Sequence, residues 1–263
     1  LLGKAVYREP LLPLLAGVRQ VPYGDADAIE QVLVNAKEVG DDIAGVVVEP
    51  IQGEAGAIEP PDDYWPRLRQ ICDEYGVLLI ADEVQTGFGR TGKIFGVDHW
   101  GVTPDIMCFG KALGGGVIAM SGFFSTAKIW KCMEPNPFMH TTTTGGNPVA
   151  CAAALAQITV LLDEDLAGQA AEKGDYIKEK VTALQKKYPQ ILNGIRGRGL
   201  LLGMEFPSDE IGYKVASGLF SRGVLTAGTL TNAQTIRIEP ALNIPYDLID
   251  DMLKRLEETF ESL

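Results

Sequence analysis

Histidine and cysteine are scarce in this sequence, and their scarcity removes whole classes of chemistry. Two histidines, His99 and His140, and four cysteines, Cys72, Cys108, Cys132 and Cys151, are spread over 263 residues. No two cysteines stand at CxxC spacing, so a His/Cys metal centre has little to draw on, and both histidines read as structural. The cysteines fall inside apolar helix or strand patterns, which predicts free core thiols in a reducing, cytoplasmic setting. Positive charge is short as well: 23 Lys and Arg face 35 Asp and Glu, a net charge of −12. That balance offers no broad attraction to nucleic acid or to an anionic membrane, so any bound anion must be held by a local site. Long apolar runs are also missing. The most apolar stretch, Pro148 to Leu162, carries Gln157 and Thr159 and is shorter than the roughly 20 residues a bilayer span needs. The opening LLGKAVYREP has no Met and no charges ahead of an apolar region. It is not a signal-peptide layout, and the expectation is that Leu1 is not the natural start of the gene product.

What is present is a helix–strand alternation. Residues 1–24, with Pro10, Pro13 and Pro22, predict an extended arm. Asp25 or Asp27 can cap the next helix, with Glu30 as a capping-box partner of Asp27. Ile29, Val32, Leu33, Ala36 and Val39 recur at helical spacing up to Gly40. Ile43 to Val48 is a β-branched apolar run, as in a strand covered on both faces. A helix opening at Asp62 or Asp63 carries Leu68, Ile71, Cys72 and Tyr75 on one face, with Gly76 behind it. Further strands are expected at Val77–Ala81, Ile106–Phe109 and Gly122–Ser125. An Ala-rich helix follows from Pro148. Beyond it, helices are expected near 165–188, 210–222 and 246–262, with strands at 200–206, 224–226 and 235–238. Short joins between such elements are the signature of parallel α/β construction. The predicted organisation is a partial large α/β domain, 1–160, and a smaller α+β domain, 161–263.

The chemistry concentrates between Val77 and Gly116. One buried-strand pattern ends in Asp82-Glu83, and a second delivers Lys111 just ahead of Gly114, Gly115 and Gly116. Lys111 is either a solvated surface lysine or an amine whose apolar surroundings let it act as a nucleophile or Schiff-base former. Asp82 either caps the next turn or neutralises a buried cation. Pyridoxal phosphate needs both functions, a lysine for its aldehyde and an acid that keeps its ring nitrogen protonated. Between the two lies GFGRTG, residues 87–92, which satisfies G-x-G-x-x-G. It neither follows a strand directly nor opens a helical pattern, so it reads as loop rather than as a dinucleotide site.

Five motifs carry a resemblance that covers essentially the whole chain: EPIQGEAG (49–56), LLIADEVQTGFGRTG (78–92), PDIMCFGKALGGG (104–116), HTTTTGGNPVAC (140–151) and TIRIEPAL (235–242). In this order and spacing they resemble the class III, fold type I aminotransferases. Within that family the pattern is most similar to bacterial putrescine aminotransferases, through EIGYKVAS (210–217) and VLTAGTL (224–230), with ornithine and acetylornithine aminotransferases next. The resemblance implies a fold type I large domain with a mostly parallel sheet flanked by helices. It implies Lys111 as the Schiff-base lysine and Asp82 as partner of the pyridine nitrogen of pyridoxal 5'-phosphate. Gln85 would lie near the cofactor's phenolic oxygen. Thr143 would bind its phosphate across a homodimer interface, although position 144 is Thr where relatives carry an aromatic residue. Arg237 matches an arginine that binds a substrate carboxylate, and Glu54 matches an acid able to pair with it. The implied reaction moves an amino group from a terminal amine such as putrescine to 2-oxoglutarate, or from ornithine or acetylornithine in the alternative. The family also has an N-terminal portion ahead of the equivalent of Leu1. The chain therefore reads as the C-terminal part, either catalytic as it stands or a non-catalytic fragment.

Overall fold

The computed structural model describes residues 3–229 and 232–263. Leu1 and Leu2 of the N-terminal arm, Leu230 of the VLTAGTL motif and Thr231 lie outside the described residues. The arm holds a short helix, α1 (Ala5–Arg8), continued by a 3-10 turn at Glu9–Leu11, and is largely exposed up to Pro22. Helix α2 (Ala26–Glu38) starts at Asp25, whose carboxylate accepts the Ala28 N–H at 2.9 Å. Asp27 and Glu30 form no capping box; both carboxylates turn to Arg67 instead. Ile29, Leu33 and Ala36 are buried, whereas Val39 lies past the helix end and is exposed.

Strand β1 (Gly45–Val48), helix α3 (Tyr64–Tyr75) and strand β2 (Leu78–Asp82) form a parallel crossover unit. Helix α3 stops at Gly76, which adopts φ 67°, a left-handed cap that glycine takes without steric cost. Strand β3 (Ile106–Phe109) pairs parallel with β2, and β4 (Gly122–Ser125) closes that sheet antiparallel in the order β1-β2-β3-β4. Strand β1 is an edge, and Val47 is 49% exposed. The apolar run that suggested cover on both faces is covered on one, because no described layer packs over Val47. A short helix α4 (Ala127–Trp130) precedes α5 (Pro148–Asp163), which is capped by Asn147 through the Val149 and Ala150 N–H groups.

The C-terminal half comprises α6 (Leu166–Lys187), β5 (Gly194–Arg198), β6 (Leu201–Glu205), α7 (Asp209–Ser221), β7 (Ala227–Gly228), β8 (Thr235–Ile238) and α8 (Tyr246–Glu261). Its sheet is antiparallel, in the order β5-β6-β8-β7. Strand β5, sequence GIRGR, was not expected, since it lacks the alternation or β-branched run that marks a strand. The strand expected at 224–226 forms instead at 227–228, where Ala227 pairs with Arg237. Ile177, Val181, Leu202, Met204, Val215, Ile236, Leu256 and Phe260 build one core between this sheet and α6, α7 and α8. A second core, including Ile29, Trp65, Leu68, Leu79 and Ala81, lies between the parallel sheet and helices α2 and α3.

The two halves meet at the GFGRTG loop. Arg90 donates to the carbonyls of Leu200 and Pro240, and its own carbonyl accepts the Leu200 N–H. Three backbones stack here with no side chain between them. A Cβ on Gly199 would stand 2.4 Å from the Thr91 carbonyl carbon, and a Cβ on Gly174 of α6 would stand 2.0 Å from the Gly199 oxygen. The G-x-G-x-x-G run is thus a docking surface for the second sheet. Gly174→Ala is expected to lower stability by about 1–3 kcal/mol through overpacking, read as a lower urea midpoint. An unchanged midpoint would show that this contact is looser in solution.

All four cysteines are free, but only Cys72 is buried; Cys132 and Cys151 are exposed. Their apolar sequence neighbours had placed them in the core. Cys132 follows the short α4, and Cys151 stands on the outward side of α5, of which only Ala150, Ala154 and Leu161 are buried. Among the described residues no helix is long and apolar enough to cross a membrane.

Candidate active site

Parallel pairing brings the C-terminal ends of β1, β2 and β3 to one edge of the sheet, where open α/β sheets place their ligand crevice. Val48 pairs with Ala81, and Asp82 pairs with Cys108. The residue after β1, Glu49, is therefore level with Asp82, and Lys111 emerges just beyond β3 on the same edge. Glu49 was not a candidate from the sequence. The signal was available, for it is an acid directly after an apolar strand, as Asp82 is. Its carboxyl is pushed up by burial, held back by the Gly53 N–H at 3.1 Å, raised further by Asp82 and lowered by Lys111. Glu49, Asp82 and Lys111 thus stand at one edge of the parallel sheet.

A carboxyl whose pKa is higher folded than unfolded binds its proton more tightly in the native state. Wild-type stability therefore falls as pH rises from the ordinary carboxylate value through the raised one. Glu49→Gln keeps an acceptor for Gly53 and carries no charge. Urea midpoints are expected to show this variant more stable than wild type at about pH 8, with that advantage gone at about pH 4. Equal differences at both pH values would refute the burial of an ionised Glu49.

The acidic pair after β2 divides its work. Asp82 Oδ1 accepts the Val84 N–H at 3.1 Å, so the capping alternative is realised by one of its oxygens. Glu83, on the opposite side of the chain, is fully buried. Its carboxylate accepts the N–H groups of Gly96 and Val97, both at 2.8 Å, and the Thr86 hydroxyl. Burial raises its pKa against those three hydrogen bonds. Glu83 thereby ties the long β2–β3 connection back onto the strand end and fixes where Gln85 stands.

Lys111 adopts φ 41° and opens a single 3-10 turn, Lys111–Gly114. A non-glycine residue held in the left-handed region costs on the order of 1 kcal/mol and is characteristic of functional positions. The side chain is exposed, and its Nζ donates to Gln85 Oε1 at 3.1 Å. Gln85 Nε2 in turn donates to Glu239 Oε1 at 2.6 Å.

Arg237 sits in the middle of β8 with its side chain only 8% exposed. Its NH1 donates to Glu54 Oε1 at 2.7 Å and lies 3.5 Å from Glu239 Oε1, while NH2 donates to the Gly228 carbonyl at 3.1 Å. The Nε is buried without a hydrogen-bond partner among the described residues, an arrangement that leaves a donor for an incoming acceptor. The pairing of Glu54 with Arg237, expected from the sequence, is thus present. Thr143 is exposed in the loop ahead of Asn147 and is not among the groups that contact Lys111. A separate groove of about 400 Å³ lies between the two halves beside GFGRTG, lined by Glu59, Thr91 and His99 on one side and by Asp175, Lys178 and Arg198 on the other. Its charges are spent on each other, Arg198 on Glu59 and Lys178 on Asp175.

Comparison with known proteins extends this geometry. The model of the family described as aminotransferase class-III matches residues 3–260. The ornithine aminotransferase of Plasmodium yoelii is 35% identical with TM-score 0.84, over 92% of this chain and 62% of that one. The ornithine aminotransferase of Toxoplasma gondii, described with partial occupancy of PLP at its active site, is 36% identical with TM-score 0.86. That match covers 95% of this chain and 57% of the Toxoplasma chain. The acetylornithine aminotransferase of Elizabethkingia anophelis is 36% identical with TM-score 0.84, over 92% and 62% of the two chains. The chain thus spans about 60% of the length of these solved relatives.

Proposed function

The chain belongs to the class-III aminotransferases, and on that premise we propose that it moves an amino group from the terminal amine of an ornithine- or acetylornithine-type donor to 2-oxoglutarate. The observation that supports this best is the convergence of Asp82 and Lys111 at the ends of the parallel strands β2 and β3. The donor set fits the family's cofactor, pyridoxal 5'-phosphate: an exposed amine for its aldehyde, a carboxylate for its ring N–H and an amide for its phenolic oxygen. When bound, pyridoxal phosphate supplies an electron sink that makes the hydrogen on the donor's amine-bearing carbon acidic.

Lys111 would hold the cofactor's aldehyde through Nζ, and the same amine would serve as the base for the proton on the donor carbon. Asp82 would keep the ring nitrogen protonated, and Gln85 would donate to the phenolic oxygen. Thr143 would bind the phosphate across a homodimer interface. Arg237 clamps a carboxylate of the oxo acid, a task suited to a guanidinium with an unpartnered Nε. Glu54 occupies that guanidinium when a terminal amine is in place. In this reading residues 1–160 supply Lys111 and Asp82 as a large domain, and residues 161–263 supply Arg237 as a small one.

A second donor, putrescine, is favoured by a specific observation. With Arg237 closed by Glu54, the site does not demand a carboxylate on the amine. Adding pyridoxal phosphate to the purified chain should give an absorbance band at the edge of the visible that borohydride abolishes. Turnover with ornithine, acetylornithine and putrescine then ranks the donors. Absence of the band would refute the reading, and a preference for putrescine would exchange its two donors.

A further inference from the structure

Gln85 lies between two groups that leave its amide no choice of orientation. Lys111 Nζ faces its oxygen at 3.1 Å, and Glu239 Oε1 faces its nitrogen at 2.6 Å. An ammonium can only donate and an ionised carboxylate can only accept. The opposite flip would set NH2 against NH3⁺ and C=O against COO⁻, two repulsions in place of two hydrogen bonds. Gly53 shapes the slot, since a Cβ there would stand 2.2 Å from Gln85 Oε1. Glu239 is itself held from the other side. Its Oε1 lies 3.5 Å from Arg237 NH1, and its charge also acts on the half-buried Arg90 guanidinium.

We propose that Glu239 is a positioning residue for the lysine site. Its hydrogen bond goes to Gln85 and not to Lys111. By taking one N–H of Gln85 it keeps the carbonyl oxygen on Lys111 Nζ and leaves the second N–H of Nε2 for an anionic acceptor. Glu239 follows β8 directly, so the C-terminal sheet reaches the lysine at the edge of the parallel sheet through one carboxylate and one amide. The chain of contacts runs Lys111, Gln85, Glu239, Arg237, Glu54. Only the identity of that acceptor, the cofactor's phenolic oxygen, rests on the transaminase reading.

Two measurements test this. In the protein without cofactor, the Gln85 side-chain N–H pair is observed by ¹⁵N NMR and assigned as the pair missing in Gln85→Ala. Wild type is expected to show one proton of the pair shifted downfield and exchanging slowly. Glu239→Leu should remove both features, and Glu239→Gln, which retains a carbonyl acceptor, should keep part of them. In a pyridoxal phosphate titration, Glu239→Leu should weaken binding about 10-fold, the size of one charge-assisted hydrogen bond. In the Gln85→Ala background the same substitution should change binding by less than about twofold, because its effect passes through Gln85. An N–H pair unaltered by Glu239→Leu, or equal weakening in both backgrounds, overturns the proposal. If Glu239→Leu does not fold, Glu239→Gln carries both comparisons. A protein that binds no pyridoxal phosphate refutes the transaminase reading and leaves the NMR comparison to decide the role of Glu239.

Discussion

Replacing Lys111 by alanine is expected to abolish both the pyridoxal phosphate absorbance band and the borohydride-stable mass addition, and to reduce turnover below detection. Two losses coincide at one atom. Nζ is the proposed point of attachment, and it is the proposed proton carrier, a role worth on the order of 10²–10⁴-fold by itself. The fold should not suffer. The side chain is exposed and donates one hydrogen bond, to Gln85, so the stability change should stay within about 0.5 kcal/mol, as for other exposed positions. Lys111→Gly should be slightly more stable than Lys111→Ala, because residue 111 sits at φ 41° and glycine adopts that conformation without strain. An alanine variant that keeps the band would place the aldehyde on a different lysine and remove Lys111 from the mechanism.

Asp82→Asn should separate binding from chemistry. Asparagine can still accept the Val84 N–H through its side-chain oxygen, so the turn after β2 and the melting temperature should survive. The band should form, since Lys111 is intact. Turnover should nevertheless drop on the order of 10²–10³-fold, the scale seen when a preorganised electrostatic partner of a developing charge is removed. The reason is that a neutral amide does not hold a proton on the ring nitrogen as a carboxylate does. Normal turnover in this variant would reduce Asp82 to the turn cap that its Oδ1 already is. Together the two variants distinguish attachment from electron withdrawal: one loses the band and the other keeps it.

Much of this site was legible along the chain because its parts are locally encoded. An acid and a lysine directly after apolar strands stand out against the run that precedes them, and parallel strands send their ends to one edge. The helix cap at Asp25, one of the two candidates, and the stop at Gly76 follow from the same short-range rules. Local patterns misled where exposure depends on what packs from afar. Val47, Cys132 and Cys151 lie in apolar surroundings in sequence, yet no described layer covers Val47, and both cysteines are exposed. Strand β5 was missed because its glycines and arginines carry no strand pattern; only pairing with β6 makes GIRGR a strand.

By itself, then, the sequence determined the family, the strands that lead to Asp82 and Lys111, and the chemistry those two residues suit. Only the tertiary structure decided that Glu49 joins them, that GFGRTG docks the second sheet, and that Glu239 orients Gln85 across 154 residues of chain. The division has a physical cause. Helical and strand periodicities extend over a few residues, and a terminal charge can be read within that span. Which carboxylate faces which amide is set by strand register and by the docking of two sheets, and neither leaves a periodic trace along the chain.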